Sequence, residues 1–401
     1  MIPYGRQDIT EADVEAVVEV LRSDWLTQGP AVPRFEQAVA RYCGARHAVA
    51  VNSATSALHI ACLALDVGPG DWLWTSPNTF VASANCGLYC GANVDFVDID
   101  PHTYNLCPEK LAEKLEQAER AGRLPKVVVP VHFAGQPCNM LAIHALSQRY
   151  GFKIVEDASH AIGASYSVVT SAERPKVLAE QARIGSGCHS DITVFSFHPV
   201  KIITTGEGGM AITNDAELAG RMARLRSHGI TRDPREMTEE SHGPWYYQQV
   251  ALGFNYRMTD VQAGLGLSQL KRIGKFISKR RALVELYDEQ LADLPVTTPR
   301  QVSDVRSAWH LYVIRLNLDK ISMTHRAVFE GLRSNGIGVN LHYIPVHLQP
   351  WYQRKGFRHG DFPVAERYYK EAISLPMFPT LTQLEITKVV SVLTALIGAS
   401  R

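Results

Sequence analysis

The chain has 401 residues, 46% of them apolar, with 41 Lys and Arg against 40 Asp and Glu. That length and composition allow a large core divided between two domains, and the balanced charge excludes a general field for nucleic acid or an anionic membrane. No apolar run is long enough to span a bilayer, the N-terminus lacks a signal-peptide pattern, and the seven cysteines are odd in number without a C-x-x-C pair. A soluble enzyme of the reducing cytoplasm is expected, without disulfides, structural zinc or any other metal.

Residues 10–23 read as an amphipathic helix, with Val14, Val17, Val18 and Leu21 at helical spacing and an approximate capping box from Thr10 to Asp13. From residue 30 to about 215, helical patterns alternate with short β-branched strands at 47–51, 72–75, 94–97, 126–131, 153–156, 192–197 and 210–213. That alternation predicts a mainly parallel sheet covered by helices. Residues 231–245 are polar, carry Pro and Gly, and read as a surface loop. A single helical stretch is expected from Thr259 to about Leu291, its basic residues at 271–275 and 279–281 lying on a solvated face rather than on a phosphate. Beyond Pro295, a strand at 310–316 and helices at 324–335, 363–371 and 381–398 predict a smaller α+β domain. The expected fold is α/β, with a large domain over 1–265 and a small C-terminal domain over 266–401.

Three places carry chemistry. Lys201 stands alone and basic after the apolar run 194–200. Burial there depresses an ammonium pKa and yields a nucleophilic amine, the chemistry of a Schiff-base lysine; a lysine snorkelling from a strand end is the competing reading. Asp157 closes the strand after a crossover helix at 139–149, where ligands of such sheets bind. A carboxylate there suits a pyridinium nitrogen, as pyridoxal phosphate requires, or equally a helix cap before Ala158. Asn52 to Leu58 follows a strand and opens a helix with small residues, leaving N–H groups for a phosphate, or forming an ordinary cap.

With these residues assembled, the chain resembles the DegT/DnrJ/EryC1/StrS sugar aminotransferases almost end to end. The likeness runs through Ile2 to Arg6, Trp25 to Pro30, Asn52 to Leu58, Phe96 to Asp100, Glu156 to Ala161, Phe195 to His198, Gly253 to Arg257, His342 to His347 and Ser374 to Phe378. It implies a fold-type I transferase using pyridoxal 5'-phosphate, with Lys201 and Asp157 catalytic. Ala54, Thr55 and Ser196 are then expected at the phosphate, Phe80 against the ring and His160 at the ring hydroxyl. Asn255 is expected at the phosphate of a second subunit, which makes the enzyme a homodimer with shared sites. Nucleotide-sugar contacts fall by resemblance on Tyr4, Asp24, Trp25, Leu26, Thr27, Asn340, Leu341, His342 and Tyr343. Within the family the chain is most similar to transaminases of pseudaminic acid biosynthesis, which aminate C4 of a UDP-linked 4-keto-6-deoxy-N-acetylhexosamine with L-glutamate; a dTDP- or GDP-linked ketosugar is the alternative. One departure is a segment at 171–182 where the family has a short turn, expected to loop into solvent.

Rival classes fit less well. A nicotinamide oxidoreductase needs an early G-x-G-x-x-G, which is absent. A dehydratase of the same family replaces the lysine with histidine, and a sugar-binding regulator on this fold has no need of Lys201 with Asp157. His342 and His347 lack a third ligand for a metal.

Overall fold

The computed structural model describes residues 1–168 and 181–398. In chain order the first half supplies β1 (His47–Val51), β2 (Trp72–Thr75), β3 (Asn93–Phe96), β4 (Val127–Val129), β5 (Lys153–Asp157), β6 (Ser165–Ser167), β7 (Gln181–Arg183), β8 (Ile192–Ser196) and β9 (Gly209–Thr213). Seven of these form one sheet in the order β1-β9-β8-β5-β4-β2-β3. It is parallel from β3 to β8, while β9 runs antiparallel to both β8 and β1. All three residues of β4 are buried valines, as a strand covered on both faces requires.

The covering helices are α1 (Glu11–Leu21), α2 (Ala31–Cys43), α3 (Ala54–Ala64), α4 (Ala82–Tyr89), α5 (Pro108–Arg120), α6 (Met140–Tyr150) and α7 (Ala216–Arg226). The capping box at α1 is present, with the Asp13 carboxylate accepting from the Thr10 N–H at 2.8 Å. Strands and helices of this half match the sequence reading to within a few residues. The strand expected at 192–197 is β8, which ends at Ser196 before the chain turns at Pro199. The stretch 231–245 is irregular and mostly exposed, with β10 (Ile230–Thr231) and β11 (Gln248–Gln249) pairing at its base.

The helix expected from 259 to 291 is two, α8 (Asp260–Leu270) and α9 (Ile273–Leu291). They part at Arg272, which has φ −103° and ψ 1° and whose guanidinium is held by Asp8 and Asp13. The solvated-face reading of the basic run also needs correction: Arg280 is 1% exposed and donates to the carbonyls of Trp309, His310 and Met377. A second, antiparallel sheet joins β12 (Val296–Thr297), β14 (Tyr312–Leu316) and β15 (Ala372–Leu375); the intervening β13 (Val305–Arg306) pairs instead with β6. Its helices are α10 (His325–Ser334), α11 (Pro350–Gln353), α12 (Pro363–Glu371) and α13 (Gln383–Ile397).

Helix α8 runs unbroken through residues 265 and 266. Ile273, Phe276 and Ile277 of α9 join the core of the large sheet, whereas Leu283, Val284, Tyr287 and Leu291 join the core of the second. We propose that the divide between domains falls within α9 rather than at 265. The segment 171–182 lies outside the described residues except for Gln181 and Ala182, which belong to β7. No helix among the described residues is long and apolar enough to cross a membrane.

Candidate active site

The carboxyl ends of β4, β5 and β8 meet the start of α3 around a cavity of about 460 Å³. Lys201 enters it from a loop pinned at one residue. The Phe197 N–H donates to the Gly208 carbonyl at 2.9 Å, while the Phe197 carbonyl accepts from the Thr205 N–H at 3.0 Å and the Thr204 hydroxyl at 3.0 Å. Burial lowers the Lys201 amine to about 8, against the opposing pull of the Asp157 carboxylate. Burial thus leaves a usable fraction of free amine near neutrality.

Asp157 ends β5 and is 5% exposed. Its Oδ2 accepts from the Ser83 hydroxyl at 2.6 Å and its Oδ1 from the Ser159 N–H at 3.1 Å. The residues after it form turns rather than a helix, so the helix-cap reading does not hold. Ser83 is itself 2.7 Å from the Thr79 hydroxyl, and neither residue was singled out from sequence.

At the start of α3, the Ser53 hydroxyl accepts from the Ser56 N–H at 3.1 Å. The N–H groups of Ala54 and Thr55 have no protein acceptor among the described residues, and both residues line the cavity. Gly209 lies so close beneath that a Cβ there would sit 2.4 Å from the Ser53 carbonyl carbon and 2.5 Å from the Ala54 nitrogen. Ser196, 8% exposed, lines the same end. Free N–H groups at a helix start, a carboxylate and a lysine amine across one cavity form a donor set that fits a phosphorylated pyridine aldehyde. Phe80, 57% exposed, is a cavity wall rather than a core residue.

Three imidazoles gather beside Lys201. His160 lies 3.1 Å from the Tyr343 hydroxyl, and its ring stands 4.4 Å from that of His310. Burial, with the Lys201 charge adding to it, holds both well below the usual histidine range, and burial takes His342 down to about 3. All three are therefore neutral, and Lys201 is the one lysine or arginine lining the cavity among the described residues. His310 was not anticipated; an imidazole at the head of the strand-like run 311–316 was the available signal. Tyr4, Asn340, Leu341, His342 and Tyr343 all line the cavity.

Five expected residues do not. Asp24, Trp25, Leu26 and Thr27 are exposed outside its lining, with Trp25 at 55% and Leu26 at 51%. Asn255 is likewise exposed outside it, bridged to Ser227. His342 bonds Ser374 at 2.8 Å while His347 bonds Glu366 at 2.9 Å, and no group of three metal-ligating side chains is found among the described residues.

A family model for the DegT/DnrJ/EryC1/StrS aminotransferases matches residues 7–394. The chain is 39% identical over 392 residues to the spore coat polysaccharide biosynthesis protein SpsC of Bacillus subtilis, covering 97% of this chain and 95% of that one. Among solved structures it is similar to Helicobacter pylori PseC, an aminotransferase involved in the biosynthesis of pseudoaminic acid, at 29% identity, full coverage of both chains and a TM-score of 0.87. It is also similar to the aminotransferase TlmJ of Streptoalloteichus hindustanus, at 30% identity, 98% coverage of each chain and a TM-score of 0.85.

Proposed function

Since this chain belongs to the DegT/DnrJ/EryC1/StrS family and is a pyridoxal-phosphate-dependent sugar aminotransferase, we propose that it aminates C4 of a UDP-linked 4-keto-6-deoxy-N-acetylhexosamine with L-glutamate as donor. The likeness to PseC supports the sugar, and the likeness to SpsC supports a product used in a surface polysaccharide. The observation that carries the catalytic reading is the Lys201 amine, lowered to about 8 and placed in one cavity with Asp157.

When bound, pyridoxal phosphate supplies an aldehyde that condenses with amines and a ring that withdraws electrons from the adjacent carbon. The N–H groups of Ala54 and Thr55, with Ser196, would hold its phosphate at the positive end of α3. Asp157, held on both oxygens by Ser83 and Ser159, would pair with the ring nitrogen and favour its protonated form. Phe80 would pack on the ring and His160 would serve its hydroxyl. The Lys201 Nζ takes the proton from the donor Cα and delivers it to the neighbouring carbon, which needs an amine that gains and loses a proton near neutrality. The second half-reaction on the ketosugar uses the same amine in reverse.

Tyr4, Asn340, His342 and Tyr343 offer the sugar hydrogen-bonding groups without positive charge. Asn255 and Asp24 to Thr27 reach a ligand from a second copy of the chain, and their exposure supports a homodimer with shared sites. Seven free cysteines support a reducing, cytoplasmic compartment. The test is a panel of UDP-, dTDP- and GDP-linked 4-keto sugars with glutamate, following 2-oxoglutarate release. The highest kcat/KM is expected with the UDP sugar, and preference for another nucleotide would overturn the assignment.

A further inference from the structure

Three thiols converge between α3 and α4, away from the reacting groups. Cys86 and Cys90 stand one turn apart on the same side of α4 and its cap. Cys62 lies in the last turn of α3, and both Cys62 and Cys86 are fully buried where the two helices pack. The Cys62 thiol lies beside both others, and Cys90 lies beside His59, three residues before Cys62. His59 is fixed in turn by the Tyr256 hydroxyl at 3.2 Å and the Tyr89 ring at 5.4 Å. Cys90 is only half-buried, so the cluster has one sulfur that solutes reach and a buried thiol waiting behind it.

We propose that Cys90 is a peroxide-sensitive thiol and that Cys62 is its resolving partner. The Cys90 thiolate attacks a peroxide oxygen, the O–O bond breaks, and a sulfenic acid forms as one water leaves. The Cys62 sulfur then attacks the Cys90 sulfur, the S–O bond breaks, and a second water leaves as the disulfide forms. Two thiols are oxidised and one hydrogen peroxide is reduced to two waters. Cys62 beside it, with His59 adding to the effect, draws the Cys90 thiol down against burial, which favours its thiolate. Burial instead pushes Cys43 up to about 12 and Cys107 up to about 11, so neither competes.

The same side of α4 carries Ser83, three residues before Cys86 and seven before Cys90, and its hydroxyl bonds Asp157. Drawing Cys90 onto Cys62 therefore pulls on the helix that holds the Asp157 carboxylate. That consequence rests on the role proposed for Asp157, whereas the oxidation itself does not, and the test separates them.

The cofactor-loaded protein is treated with hydrogen peroxide, quenched with N-ethylmaleimide and digested with chymotrypsin, whose cleavage after Leu63 and Tyr89 places the three cysteines on separate peptides. The expected map of the wild-type protein is a Cys62–Cys90 disulfide, reversed by dithiothreitol. Cys62→Ser stops at a sulfenic acid on Cys90 that dimedone captures, and Cys90→Ser forms no linked product. A wild-type map without the Cys62–Cys90 link, including oxidation confined to the exposed Cys188, overturns the proposal and needs no variant to fold. With the link present, unchanged transamination in the oxidised protein would refute only the coupling to Asp157.

Discussion

Lys201 offers the most direct quantitative check. At pH 7.5 an amine of pKa about 8 is about 24% neutral, against about 0.1% for an unperturbed lysine, roughly a 200-fold difference in the reactive form. Asp157 opposes the shift by favouring the protonated amine, so Asp157→Asn removes that pull and lowers the Lys201 pKa further, by about one unit for a nearby opposite charge. The assay is trace acetylation of the cofactor-free protein from pH 6 to 11, read by mass spectrometry on the Lys201 peptide and, as a reference, on that of the exposed Lys275. The wild type is expected to show a half-point near 8 at Lys201 and Asp157→Asn a lower one. A half-point in the ordinary lysine range in the wild type would refute the burial argument. An upward move in Asp157→Asn would refute the electrostatic one.

Lys201→Ala is expected to keep the fold by circular dichroism while losing transamination and borohydride fixation of pyridoxal phosphate; a label retained elsewhere at full yield would reassign the nucleophile. Gly209→Ala drives a methyl group into the backbone at Ser53 and Ala54, and should weaken cofactor binding by about tenfold or more in a fluorescence titration, the cost of losing about one charge-assisted hydrogen bond. The fully buried His132–Glu156 pair, 2.7 Å apart, predicts that His132→Leu costs about 3–5 kcal/mol in urea unfolding and that adding Glu156→Leu restores much of it; equal loss in both variants would contradict a coupled pair. Mixing inactive Lys201→Ala and Asn255→Ala chains should restore activity in one of the two sites of a hybrid dimer. Verified subunit exchange without recovery would place Asn255 outside the site.

The sequence exposed those parts of the site where local pattern and chemistry coincide. Asp157, Ala54 and Thr55 lie at strand or helix ends that strand periodicity located to within a few residues, and Lys201 lies on the loop that follows β8. His310 was hidden because its place depends on a distant packing event: Trp309 adopts φ +51° and Arg280, from α9, takes up the local carbonyls. Ser83 was hidden for another reason, since a small hydroxyl inside a helix has no periodic signature and acquires meaning only through a partner 74 residues away. The basic run on α9 misled because charge in sequence reads as solvation, and Arg280 escapes that rule by meeting three backbone carbonyls. Asp24 to Thr27 and Asn255 are legible as motifs, yet one chain gives them no cavity to line.

The helix α9, with its first turns in one core and its later turns in the other, limits how the molecule can be taken apart or recombined. A chimera joined at residue 265 would import the whole rod, and with it three residues that must interlock with a foreign large sheet. A junction after Leu291 would import none of it, but would ask the new small sheet to accept four side chains shaped for the old one. Swapping halves between relatives to change sugar preference should therefore succeed only when the rod travels with matched partners on both sides, or when its midpoint is grafted one turn at a time.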